Sequence, residues 1–341
     1  MKIMVVDSSL RDGSHAIKHK FNTSQIDSYA YFAEKAKIPV LEIGHGNGLG
    51  ASSIQVGESF LSDSKMIKTA KKRLDKTLLC AFSIPGFATK KNIKDAIVAG
   101  VDIFRIAAHC TEADITEEHI KFVKDSGKIA YASLMMTHMA SNQILINECI
   151  KLVSYGAESI TIMDSAGSYM PNEVYKRIRF LKNEIDIPLG FHAHNNLGLA
   201  IANSLAAVEG GATILDATIW GFGAGAGNAQ LEVLIPVLEK YGYYTYIDFY
   251  KVLDTCDWAK DELINDIPVI KPLNIISGLS GVFSGFIKHV ENAALIYDVD
   301  PRDIFFKLGE KKVIAGQEDL VIQVALELQR KTRKIDDKNR G

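Results

Sequence analysis

At 341 residues, 47% hydrophobic and 23% charged, the chain has ordinary globular composition and enough length for one large domain plus a smaller unit. Its 39 basic and 41 acidic side chains nearly cancel, so it offers no strong field for nucleic acid or an anionic membrane, and the expected ligand is a small molecule. No apolar run approaches the roughly 18 residues of a membrane span, and MKIMVVDSSLRDG lacks a signal-peptide layout, so a cytoplasmic location is expected.

The first buried-strand run, 3–7 (IMVVD), opens onto a loop from Asp7 to His15 that gathers two carboxylates, Arg11 and an imidazole. In a barrel this strand-to-helix loop faces the active site. The same residues also make an ordinary polar loop, in which Arg11 and Asp12 pair with each other or cap the next helix. Helical periodicity at 24–36 leads to a second strand, 40–45 (VLEIGH), where Glu42 is placed to hold Arg11 and His45 to line a pocket. Plain structural pairing accounts for both equally well.

Further strand runs at 77–84 (TLLCAFSI) and 103–109 (IFRIAAH) are separated by helical stretches at 63–73, 91–99 and 115–126. A fifth strand at 128–135 (KIAYASLM) precedes His138 in LMMTHM; His109 and His138 are pocket candidates that serve as structural residues just as readily. After a helix at 142–155, the sixth strand at 158–164 (ESITIMD) closes on Asp164-Ser165-Ala166-Gly167. There the Ser165 hydroxyl beside a tight turn suits a substrate carboxylate, unless the segment is only a turn.

A helix at 171–184 leads to the seventh strand, 188–194 (PLGFHAH), in which His192 and His194 stand two apart and project to one face. Hydrogen-bonded core histidines are the plain alternative. With Asp12 supplied from another strand end, the pair becomes a facial site of two imidazoles and one carboxylate for Mn²⁺, Mg²⁺, Co²⁺ or Zn²⁺. A helix at 198–209 and an eighth strand at 213–219 (TILDATI) follow, and then GFGAGAGN. Its GxGxxA match is a weak dinucleotide signal, because it stands at the end of the alternating pattern and no strand-borne acid follows. A backbone turn approaching the site, with Asn228 near the metal or its waters, fits better.

Eight strand-then-helix units give the expected fold class, an α/β (β/α)8 TIM barrel over residues 1–246; a doubly wound sheet reads similarly over six of the eight. A helix from Asn228 to Tyr241 closes the series. Residues 247–333 are expected to form a C-terminal helical domain for oligomer or partner contact, and residues 334–341 a disordered tail. Cys80, Cys110, Cys149 and Cys256 have no CxxC pairing and fit neither a disulfide framework nor a thiolate zinc site. They are expected to be reduced and mostly core, with Cys110, beside His109, having a modest claim to a site.

LRDG in the first loop with the later HAHNN resembles the superfamily of hydroxymethylglutaryl-CoA lyase and isopropylmalate synthase. RDGSHAIKH, EIGHGNGLGASS, AAHCTEAD, LMMTHM, GAGAGNAQLEV and AGQEDLV more specifically resemble the 4-hydroxy-2-oxovalerate aldolases, over nearly the whole chain. The resemblance implies cleavage of a 4-hydroxy-2-oxo acid to pyruvate and an aldehyde. It implies that Asp12, His192 and His194 bind a divalent metal, Mn²⁺ first, with Mg²⁺ or Co²⁺ as alternatives. Arg11 would steady the enolate, His15 would be the catalytic base, and Ser165 would meet the substrate carboxylate, with Arg11, His192 and Phe283 also in the substrate site. It further implies an acylating acetaldehyde dehydrogenase as partner, reached through residues about 270–333. One departure stands out: Phe283 takes the place of the family's usual tyrosine, which bears on substrate choice and stereospecificity and leaves the metal site alone. No strand-end lysine supports a Schiff base. The rival readings are a Claisen-type condensation on acyl-CoA and a weakly active binding subunit of an aldehyde dehydrogenase.

Overall fold

Eight short runs rich in aliphatic residues pair in sequence order: β1 (Met4–Leu10), β2 (Val40–Ile43), β3 (Leu78–Ser83), β4 (Ile103–His109), β5 (Ile129–Met135), β6 (Ser159–Asp164), β7 (Leu189–Ala193) and β8 (Ile214–Ala217). Every pairing is parallel, and β8 returns to β1 with Met4 opposite Ile214, so the sheet closes into a barrel. Closure removes the sheet edges and decides for the (β/α)8 barrel over a doubly wound sheet. The computed structural model describes residues 1–264 and 266–340, of which 332–340 are described by backbone alone. The expected disordered tail, 334–341, therefore falls on residues whose side chains, and for Gly341 also the backbone, lie outside the described residues.

The crossovers are α1 (Thr23–Lys35), α2 (Asp63–Lys71), α3 (Lys90–Ala99), α4 (Glu117–Asp125), α5 (Asn142–Tyr155), α6 (Pro171–Glu184) and α7 (Ala200–Gly210). Several start where the chemistry dictates: Asn22, Ser62, Thr89 and Ser141 each accept a backbone N–H of the first turn. After β8 come α8 (Leu231–Lys240), α9 (Phe249–Glu262), α10 (Pro272–Ser280), α11 (Ile287–Tyr297), α12 (Pro301–Glu310) and α13 (Asp319–Arg340). Val252, Cys256 and Ala259 of α9 join the core between barrel and helices, whereas a second core forms around Val290, Phe305 and Val324 of α11, α12 and α13.

Inside the barrel, Val6, Val40, Cys80, Ile103 and Ile214 form an apolar plug. The lumen is not apolar throughout, since Glu42, Arg105 and Asp216 are buried on β2, β4 and β8. Among the boundaries that differ from the sequence reading, that of β1 bears on the site. The first strand runs on past Asp7 to Leu10, with a register shift between the two. Asp7 is therefore a mid-strand residue whose carboxylate accepts from Tyr29 on α1 at 2.7 Å and from Ser9. All four cysteines are free and buried, and no described helix is long and apolar enough to cross a membrane.

Candidate metal centre

The site is assembled at the C-terminal ends of the strands. Asp12 opens a 3-10 turn, Asp12–His15, just after β1, and His192 and His194 stand at the end of β7. One ligand atom from each of Asp12, His192 and His194 lies within 4.8 Å of the others, and all three residues are buried. His192 Nδ1 lies 2.8 Å from Asp216 Oδ2, so the proton sits on Nδ1 and donates to the carboxylate. The other nitrogen, Nε2, is then a bare lone pair, and it is buried without a partner. A buried orphan acceptor beside a carboxylate and a second imidazole is the donor set of a divalent cation, and the carboxylate behind the histidine is the usual orienting group.

The protonation states suit that role. Burial alone would raise the Asp12 pKa, but Arg11 and the neighbouring imidazoles outweigh it and hold the carboxyl well below the ordinary range. Burial pushes His194 down to about 4 against the pull of Asp12. Metal ligation requires ionised carboxylates and neutral imidazoles, the states that these environments favour for Asp12 and His194.

Arg11 is pinned on two sides. Its Nε donates to Glu42 Oε2 at 2.7 Å, its Nη1 donates to Asp12 Oδ1 at 2.8 Å, and its Cζ lies 4.7 Å from the Phe82 ring centroid. Its Nη2 is buried and has no partner. The pairing of Arg11 with Asp12 and the bracing by Glu42 thus coexist, and one terminal nitrogen is left over. His15 is half-buried, and its surroundings lower its pKa, mainly by desolvation and despite the pull of Asp12, which leaves it neutral near pH 7. Gly46 packs flat against it: a Cβ there would lie 2.3 Å from His15 Nε2.

The loop after β8 comes as close as the glycine run suggested. A Cβ at Gly223 would lie 2.4 Å from Asp12 Oδ2, and Asn228 Nδ2 donates to that same oxygen at 2.5 Å. Ser165 Oγ accepts from the Met136 N–H at 3.0 Å and keeps its own proton to donate. His45 is spent on structure: Nε2 donates to the Gly57 carbonyl, Nδ1 accepts from the Asn47 N–H, and the ring stacks on His19 at 3.6 Å. His138 Nε2 donates to the Gly281 carbonyl and His109 bonds Thr111. Cys110 donates to the Met136 carbonyl. The Phe283 ring is partly buried against the second core, while its neighbour Ser284 accepts from Asn196 Nδ2 at 2.7 Å. The sequence reading did not single out Asp216, Arg105 or Asn196. A charge inside an otherwise buried strand run, as in IFRIAAH and TILDATI, was the available signal for the first two.

The chain is a closed parallel barrel with an Asp-His-His cluster at its C-terminal mouth, and the HMGL-like family model matches its residues 2–258; a DmpG-like communication domain matches 268–330. The 4-hydroxy-2-oxovalerate aldolase of Pectobacterium atrosepticum is 53% identical over 99% of this chain and 98% of its own. That of Spirochaeta aurantia is also 53% identical, over 96% of each chain. The chain belongs to the 4-hydroxy-2-oxovalerate aldolase family. Among solved structures, the N-terminal domain of a putative aldolase from Bacteroides vulgatus superposes with a TM-score of 0.72 at 24% identity, covering 83% of this chain and 94% of that one. A Rhizobium etli pyruvate carboxylase superposes at 0.82 with 17% identity, covering 97% of this chain and 32% of that one. Both report the fold alone.

Proposed function

We propose that this chain is a carbon–carbon lyase that cleaves 4-hydroxy-2-oxovalerate, or a close homologue, to pyruvate and an aldehyde, with Asp12, His192 and His194 holding a divalent cation. The observation that carries the reading is an ionised Asp12 and two imidazoles beside an Arg11 whose Nη2 is unpartnered. A cation bound there supplies Lewis acidity to the 2-oxo group and carboxylate of the substrate.

The chain's own residues do the rest. Neutral His15 accepts the 4-hydroxyl proton, and the O–H electron pair becomes the carbonyl bond of the departing aldehyde. As the C3–C4 bond breaks, its pair moves into an enolate whose charge gathers on the 2-oxygen. Arg11 Nη2 donates a hydrogen bond to that oxygen. Ser165 Oγ–H donates a hydrogen bond to the substrate carboxylate. Protonation at C3 then yields pyruvate.

The family resemblance leads us to assign Mn²⁺ first, with Mg²⁺ and Co²⁺ as alternatives, and a set of two imidazoles and one carboxylate accommodates each. We read residues 247–333 as the unit that meets an acylating aldehyde dehydrogenase, on the strength of the communication-domain match at 268–330, and the assembly as a cytoplasmic oligomer. The test is pyruvate release from a panel of 4-hydroxy-2-oxo acids after chelation, with and without added Mn²⁺. Release that depends on metal is expected. No pyruvate from any member of the panel overturns the reading.

A further inference from the structure

The buried charges of the lumen form one continuous chain between two of the proposed metal ligands. Asp12 Oδ1 accepts from Arg11 Nη1 at 2.8 Å, and Arg11 Nε donates to Glu42 Oε2 at 2.7 Å. Glu42 Oε1 lies 3.3 Å from Arg105 Nε, an ion-pair contact without hydrogen-bond alignment. Arg105 then grips Asp216 with both terminal nitrogens, Nη2 to Oδ1 at 3.0 Å, and Asp216 Oδ2 accepts from His192 Nδ1 at 2.8 Å. None of these six residues is more than 3% exposed, and Arg105 is wholly buried.

Arg105 is the span of this chain. It rises from β4 and reaches Asp216 on β8, and strands four and eight stand opposite each other in an eight-strand ring. Removing a guanidinium from water costs several kcal/mol, so buried ion pairs of this kind are poor stabilisers, and their best-attested use is to specify one arrangement. Here the arrangement specified is the site above. Apolar residues of similar volume would fill the lumen more cheaply, and this barrel uses them in the plug of Val6, Val40, Ile103 and Ile214.

We propose that Arg105 is a positioning residue that sets both arms of the site at once: Asp216, and through it the His192 ring, and Glu42, and through it the Arg11 guanidinium. The inference rests on reading Asp12, His192 and His194 as metal ligands. Lysine at 105 would keep the charge and lose the fork, because a single ammonium cannot hold Asp216 bidentately while facing Glu42. Losing an outer partner of a metal-bound histidine typically weakens metal binding about 10–100-fold.

The experiment is Arg105→Lys in the full chain, with Mn²⁺ affinity read by electron paramagnetic resonance titration, alongside kcat, KM and thermal melting. The expected result is a Kd for Mn²⁺ raised about tenfold or more. At saturating Mn²⁺, kcat is expected to stay low with KM near that of the wild type, because Arg11 has been loosened as well. A variant that melts lower yet keeps wild-type Kd and kcat overturns the proposal, since that is what a merely structural Arg105 would give. If Arg105→Lys does not fold, Glu42→Gln, Asp216→Asn and their double variant answer instead. Links of one chain are expected to be strongly non-additive in Mn²⁺ Kd, and losses that simply add overturn the coupling through Arg105. Wild-type chain that binds no Mn²⁺ overturns the metal reading along with this one, whereas wild-type binding with an unaffected variant removes this inference alone.

Discussion

His15 and His192 sit in one site with opposite predicted signatures. His192 offers a buried lone pair held in place by Asp216, so His192→Ala is expected to abolish both stoichiometric Mn²⁺ and activity, checked by metal analysis of the purified variant. His15 is kept neutral and packed against Gly46, which suits a proton acceptor. His15→Ala is expected to keep its metal and fold and to lose cleavage by about 10²–10⁴-fold, the usual contribution of a general base. Full activity at neutral pH would remove that role. Phe283 is partly buried against the second core, next to a serine bonded to Asn196 of the HAHNN loop. A tyrosine hydroxyl there would add about 0.5–1.5 kcal/mol of hydrogen bonding, so Phe283→Tyr is expected to shift the ratio of pyruvate release from the 4R and 4S substrates by tenfold or less. Unchanged ratios across both enantiomers and a longer homologue would show that the position does not select substrate.

At the level of elements, the loop after β8 shows why a glycine run can belong to a metal site without touching a nucleotide. Gly223 has no room for a methyl group: its Cβ would meet Asn228 Nδ2 at 2.1 Å and Asp12 Oδ2 at 2.4 Å. Gly223→Ala is therefore expected to displace Asp12 and to weaken Mn²⁺ binding, read by titration, with the far-ultraviolet circular dichroism unchanged. The helices beyond the barrel carry their own core, in which Phe305 of α12 is fully buried. Phe305→Ala is expected to destabilise that core by about 3–5 kcal/mol in denaturant melts, with the Mn²⁺ affinity of the barrel preserved. Loss of metal binding in that variant would mean that the second core props up the site.

For the molecule as a whole, a cation held by Asp12, His192 and His194 would be linked to the fold, because a ligand that binds only the folded state stabilises it. At a free Mn²⁺ concentration of about 100 Kd, the gain is about 2.7 kcal/mol, so chelation is expected to lower Tm by several degrees, and added Mn²⁺ to restore it. The chain by itself determined the architecture and the nucleus of the site. Eight alternations of strand and helix were legible because hydrophobic period is a property of neighbours along the chain, and His192 and His194 were legible as a pair because residues two apart on a strand share a face. Asp12 was legible as the third member because it stands on another strand-end loop, and the family resemblance implied the same set. Other features were decided only by tertiary structure. Asp7 turned to Tyr29 because β1 ran on to Leu10, and His45 spent both its nitrogens on backbone. Glu42 meeting Arg11 across 31 residues was open in the sequence beside plain structural pairing, whereas Asp216 meeting His192 across 24 and Arg105 meeting Asp216 across 111 were not. No local period encodes such pairings. They follow from the order of the closed ring, which sets β1 beside β2, β7 beside β8 and β4 opposite β8, and leaves a buried charge only the partners that those strands supply.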